Sequence, residues 1–361
     1  MIRFALDRRA VLRLALRGAA WALVETLRAR AVGAQPARLA TDPRERRLAN
    51  VRRLTFGGQN AEAYFDRTGT RLIFQSTRPP FACDQIFTMK DDGSDVRLVS
   101  TGRGRTTCAF FFPDGRRFIY ASTHLASAAC PPPPDRSGGY VWPIDPGYEI
   151  FAAHVDGGAP TRLTDNDGYD AEGAVSPDGG RIVFTSLRQG DLDLYTMNTD
   201  GGDVRRLTDR PGYDGGAFFS WDGRSIVYRA GYPETPAERD EYRELLRRSL
   251  VRPRRLELYV MRTDGTGVRQ ITRNGAANFA PFLHPNGEQV IFSSNLHDPT
   301  GRTFALYLAN LDGSGLERVT YVESFASFPM FSRDGARLAF CGSRNATSPR
   351  EMNVFVADWV A

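Results

Sequence analysis

From Val51 onward the chain alternates short apolar runs with turns built on Gly, Asp, Asn and Pro. Runs such as Arg181–Ser186 (RIVFTS) and Ser225–Ala230 (SIVYRA) are rich in β-branched and aromatic residues, which pack well on a pleated surface and so predict strands. Asp-Gly and Asn-Gly supply the positive φ that a tight hairpin demands, and Pro fixes φ at its own position. One segment breaks the pattern. Thr235-Pro236-Ala237-Glu238 reads as a capping box with Pro at the first helical position, followed by apolar residues at Tyr242, Leu245, Leu246 and Leu250. That spacing predicts a short amphipathic helix.

The strands and turns repeat as a unit. The clearest copy, Tyr169 to Thr208, runs from a first apolar strand through a Ser-Pro-Asp-Gly turn, two β-rich strands and an Asp-Gly turn to Arg-Leu-Thr. The first turn recurs at Gly69, Gly115, Gly179, Gly223, Gly287 and Gly335, spaced 46, 64, 44, 64 and 48 residues apart. The closing phrase recurs at Thr164, Thr208, Thr272 and Thr320, with Arg97–Ser100 as a looser copy. A unit of this length with four short strands is a propeller blade, and six copies predict an all-β, six-bladed β-propeller. The phrase Val51–Thr55 has no blade before it, and the last copy stops after its third strand, Asn353 to Trp359. The N-terminal strand is therefore expected to complete the sixth blade, which removes two open sheet edges at once.

These repeats resemble the TolB-like, WD40-like propeller repeat, over about Val51 to Val360. The resemblance implies the propeller fold; it does not imply a function, since propellers host many activities. TolB proteins carry a separate domain before the propeller, for which residues 35–50 leave no room, and this puts a direct role in the Tol envelope complex in doubt. Similar propellers precede serine peptidase domains, but no Gly-x-Ser-x-Gly elbow occurs here.

Charge and composition change the picture at the N-terminus. The formal net charge is +5, yet residues 1–34 hold seven Arg against Asp7 and Glu25, so the remainder sums to zero. A body without a basic excess is not a nucleic-acid binder. The leader has Arg8-Arg9, a mildly apolar stretch from Ala10 to Leu23 and small residues ending at Ala34. It reads as a twin-arginine-like export signal over 1–34, with 35–50 as linker and 51–361 as propeller. A periplasmic or secreted protein follows, with no transmembrane segment in the mature chain.

Two insertions, about 122–148 in blade two and 230–255 in blade four, fall in the same second-to-third-strand loop. They are expected to rise over one face. On that face each first strand begins with a pair of residues near the axis: Asn60 and Glu62, Thr106 and Cys108, Asp170 and Glu172, Asp214 and Gly216, Asn278 and Ala280, Ala326 and Phe328. Asn60, Glu62, Asp170, Glu172, Asp214 and Asn278 make this tunnel mouth oxygen-rich. Such a mouth suits a polar ligand or a hard cation such as Ca²⁺ held by Asp170, Glu172 and Asp214, or it merely solvates a channel. The four histidines are scattered over different repeat positions, and the four cysteines show no zinc spacing. Cys83, Cys108 and Cys130 gather on the mouth side, and a disulfide among them is expected, its pairing open. Three functions remain: an exported scaffold binding a protein, peptide or glycan; a cation-dependent hydrolase or lyase at the tunnel mouth; or a structural assembly subunit.

Overall fold

The computed structural model describes residues 38–361, which form one compact unit; the leader expected over 1–34 lies outside the described residues. Six antiparallel four-stranded sheets succeed one another along the chain, in the order expected of a propeller. Blade one runs Gln59–Phe65, Arg71–Thr77, Gln85–Lys90 and Arg97–Leu98. Blade six takes Ala326–Phe331, Arg337–Gly342 and Asn353–Trp359 from the C-terminus and Leu48–Arg53 from the N-terminus. The ring thus closes as the repeat demands, with Arg53 opposite Phe355 and Arg52 opposite Val356.

The Arg-Leu-Thr phrase is a physical clasp. In every blade its Thr, or Ser100 in blade one, accepts the backbone N–H of the second residue of the third strand at 2.9–3.0 Å: Ile86, Ile150, Leu194, Leu258, Leu306 and Val354. In four blades an Arg two residues earlier, Arg53, Arg162, Arg206 or Arg318, bends back to the Thr carbonyl, and three of these also reach an acid at the base of the third strand: Arg162 to Glu149, Arg206 to Asp193 and Arg53 to Glu351. Short fourth strands would otherwise offer bare edges, and an Arg at each one discourages pairing with another chain. Thr55 and Arg53 show that the N-terminal strand is fastened by the same device as its covalently continuous counterparts.

A second repeat lies at the centre of each blade. The paired residues Phe74 and Phe87, Tyr120 and Phe151, Phe184 and Tyr195, Tyr228 and Tyr259, Phe292 and Tyr307, and Phe340 and Phe355 face each other across the second and third strands. Their ring centroids are 5.3–6.0 Å apart. Each such pair contributes roughly 0.5–1.5 kcal/mol beyond its buried area.

The segment before the first strand is also anchored. Glu45 is buried against Arg344, which holds Glu323 as well, at 2.6 and 2.5 Å. Glu45 further accepts the Tyr321 N–H at 2.9 Å.

Candidate functional site

The innermost strand of each blade carries a bulge at one fixed position. Register breaks between Ala61 and Tyr64, Thr107 and Phe110, Ala171 and Ala174, Gly215 and Phe218, Phe279 and Phe282, and Ser327 and Met330. The residue behind each break, Glu62, Cys108, Glu172, Gly216, Ala280 or Phe328, has φ between 50° and 57°. Left-handed backbone at five non-glycine residues is costly, and bulges re-aim side chains. Here they turn one ring of residues toward the axis.

One layer deeper the axis is shut. Tyr64 of blade one and Phe218 of blade four stand on opposite sides of a six-bladed ring, yet their centroids are 5.3 Å apart. Phe110 and Phe282 flank Phe218 at 5.9 and 5.4 Å. What remains above is a funnel of about 1900 Å³, open only toward the face that carries the two insertions.

Those insertions join. Trp142–Pro143 and Leu250–Val251 pair as a two-stranded ladder. The expected helix spans Pro236–Arg247, with the Thr235 and Glu238 capping box formed. Leu245 packs with Val141 and Leu250, and the Tyr242 hydroxyl donates to Asp191 at 2.5 Å and to the Gly212 carbonyl at 2.8 Å. Cys83 and Cys130 form a disulfide that ties the blade-two insertion to blade one, leaving Cys108 and Cys341 as thiols. The pairing left open in the sequence is therefore Cys83 with Cys130. From this roof Trp142 reaches across to Tyr213 and Phe279, at 6.1 and 6.4 Å.

The floor is charged. Arg229, from the second strand of blade four, is buried and ion-paired with Glu172. Glu172 also accepts from the Thr185 hydroxyl at 2.7 Å, the Gly216 N–H at 2.9 Å and the Tyr213 hydroxyl at 3.0 Å. A Cβ on Gly215 or Gly216 would collide with Tyr213 and Glu172 or with Arg229, so these glycines make the room for the cluster. Burial pushes the Glu62 carboxyl up to about 7, against the Cys108 hydrogen bond that lowers it. The Cys108 thiol is pushed well up, first by burial and then by Glu62 and Glu172. Higher on the wall, burial lifts Asp84 to about 6, offset in part by Arg105.

Of the six residues expected at the mouth, Glu62 and Glu172 line the funnel, while Asn60, Asp170, Asp214 and Asn278 do not. These four are fully buried two positions before the bulge, and their side chains bind within and between blades. Asn60 donates to the Met352 carbonyl at 2.9 Å and Asn278 to the Leu256 carbonyl at 2.8 Å, each at the base of the preceding blade's third strand. Asp170 pairs with Arg188 at 3.3 Å, and Asp214 accepts from Tyr232 at 2.6 Å. Asp170, Glu172 and Asp214 are thus each engaged by separate partners, and among the described residues no three His, Cys, Asp or Glu side chains converge as metal ligands.

Arg229 and Tyr213 were not singled out from the sequence. Arg229 had a visible signal. The corresponding second-strand positions are Gln75, Ala121, Thr185, Ser293 and Cys341, so one Arg stands among small or neutral residues in a buried strand.

The fold and its funnel define a six-bladed β-propeller with one closed axial end. Comparison with known proteins agrees. Residues 144–236 match the family model described as the TolB beta propeller domain, and the repeats of this chain are of the TolB-like kind. A protein of Agrobacterium tumefaciens described as TolB is similar at 19% identity over 84% of this chain and 91% of that one, with a TM-score of 0.55. An oligogalacturonate lyase of Vibrio parahaemolyticus is similar at 12% identity over 90% and 98%, with a TM-score of 0.52. A gluconolactonase of Xanthomonas campestris is similar at 15% identity over 90% and 95%, with a TM-score of 0.57. At these identities the likeness is one of fold.

Proposed function

We propose that this protein is an exported, periplasmic binding propeller that takes a group of a protein, peptide or glycan ligand into the axial funnel. The observation that carries the reading is the funnel itself: a closed-ended cavity with a polar floor and aromatic walls, under a roof built from the only two long insertions among the described blades. Concave sites of this kind, mostly apolar with a few convergent polar groups, are where ligands bind. The Cys83–Cys130 disulfide is at home in an oxidising compartment, which supports export through the Arg8-Arg9 leader.

The test fills the funnel without disturbing the ring. Phe328 occupies in blade six the bulge position that Cys108 occupies in blade two, so Cys108→Phe places there a side chain that this backbone accepts. Native mass spectrometry of protein taken from its own compartment should show a bound mass that the variant loses at unchanged melting temperature. Equal retention by the variant would place the ligand elsewhere.

One observation favours a second reading, a hydrolase or lyase. Glu62, titrating near neutrality beside the Glu172–Arg229 pair, has the properties of a general acid or base. Turnover lost in Glu62→Gln with ligand binding retained would select it.

A further inference from the structure

Around the axis the charges of the floor do not balance. Glu172 is matched by Arg229, which is itself committed to Glu172 and the Tyr213 hydroxyl. Asp84 has Arg105 beside it. Glu62 forms no ion pair among the described residues, and the side chain that hydrogen-bonds it is the Cys108 thiol, a weak donor. The other groups facing it are Tyr64 on its own strand, Asp84 from the loop of blade one, Cys341 from blade six, Glu172 from blade three and Arg229 from blade four. An isolated carboxylate deep in a cavity needs a proton or a cation to offset its desolvation.

The walls indicate which cation. A hard metal ion needs several oxygens at one point, and among the described residues no three acidic, His or Cys side chains converge there, Glu172 being taken by Arg229. The aromatic part of the lining includes Tyr148, Tyr169, Tyr213, Phe328 and Trp142. Aromatic faces attract ammonium and guanidinium groups, and the wall already shows this affinity: the Arg229 guanidinium lies over the Trp142 ring at 5.1 Å. An anion at the floor would meet Glu62 and Glu172, with Arg229 already committed to Glu172. A neutral polyol would leave the carboxylate charge unanswered.

We propose that the closed end of the funnel receives an organic ammonium group, a protonated amine of the ligand, with Glu62 as its counter-ion and the aromatic wall in place of water. This rests on the funnel being the ligand site. The ammonium binds ionised Glu62, so affinity is low where Glu62 holds its proton and rises as it loses it. With the carboxyl at about 7, its ionised fraction, and hence the affinity, increases about tenfold between about pH 6 and about pH 8.

The experiment uses the mature full chain and two isosteric probes, phenethylammonium and 2-phenylethanol, in calorimetric titrations at both pH values. Protection of Cys108 from N-ethylmaleimide is read in parallel. The expected result is preference for the ammonium, the pH dependence above, proton release below neutrality, and protection of Cys108. Glu62→Gln, checked by its melting curve, should abolish both the preference and the pH dependence. If both probes protect Cys108 but bind alike, the ammonium assignment fails and the funnel reading stands. If the probes bind without protecting Cys108, both fail. No binding at millimolar probe also overturns the ammonium assignment.

Discussion

A chain that begins at Phe56 should lose its stable monomeric fold. Removal of residues 38–55 withdraws Leu48, Val51 and Leu54, all but fully buried, which together contribute about 5–9 kcal/mol at typical side-chain burial energies. It also breaks the Thr55 clasp on Val354 and the Arg53 pair with Glu351, and leaves Arg344 buried with Glu323 alone. Stripping one partner from a buried ion pair costs several kcal/mol more. A whole domain is stable by only about 5–15 kcal/mol, so this one strand accounts for most of the margin. The truncation also bares the edge of Asn353–Trp359, an apolar strand that invites pairing with another copy. Urea melts and light scattering after size exclusion measure both effects. The truncated chain should be unfolded or associated at low denaturant, and a synthetic peptide of residues 38–55 should restore a monomer. A truncated chain that stays monomeric and melts with an unchanged urea midpoint would refute the closure as an energetic device.

Three further outcomes follow from the site. Asp214, lifted by burial from 3.8 to about 7 with one oxygen unpartnered, holds a proton in the folded state that it lacks when unfolded. Its contribution is therefore full below the unfolded value and falls away as pH rises to about 7. Asp214→Asn should flatten that slope and, in melts at alkaline pH, stabilise the fold by up to about 4 kcal/mol. Cys130→Ser should cost about 2–4 kcal/mol in denaturant midpoint and make Trp142 more accessible to acrylamide, because the disulfide restrains the insertion that carries it; unchanged quenching would count against that restraint. Glu62→Gln removes the charge that, after burial, does most to raise the Cys108 thiol. Alkylation of Cys108 at fixed pH should speed up, and a slower rate would contradict the proximity of the two groups.

The ring was legible because its signals are local. An Asp-Gly turn or an Arg-Leu-Thr clasp is set by neighbours a few residues away, and the surplus phrase Val51–Thr55 revealed the closure without any long-range inference. The aromatic pair inside every blade was equally present, as IF in QIFTM against IF in RLIFQ, yet it becomes a contact only once the register is known. The mouth was legible in part. Spacing placed Asn60 and Glu62 two apart on a strand and so on one face, but the bulge turned Glu62 to the axis and left Asn60 between blades. A bulge depends on crowding around the axis, which no segment encodes alone. Arg229 completes the floor from a second strand, and Trp142 arrives from another blade's loop. Both belong to the site only through the ring's curvature.

The aromatic layer at Tyr64 and Phe218 also fixes how a ligand comes and goes. With the far end shut, capture and escape share one doorway, beneath the Trp142–Pro143 and Leu250–Val251 ladder. A change that loosens this ladder while leaving Trp142 and the floor in place accelerates arrival and departure in equal proportion and leaves the equilibrium where it was. Residence time is then governed by the backbone of the roof and affinity by the floor and the aromatic wall, two properties that separate substitutions in this propeller should adjust.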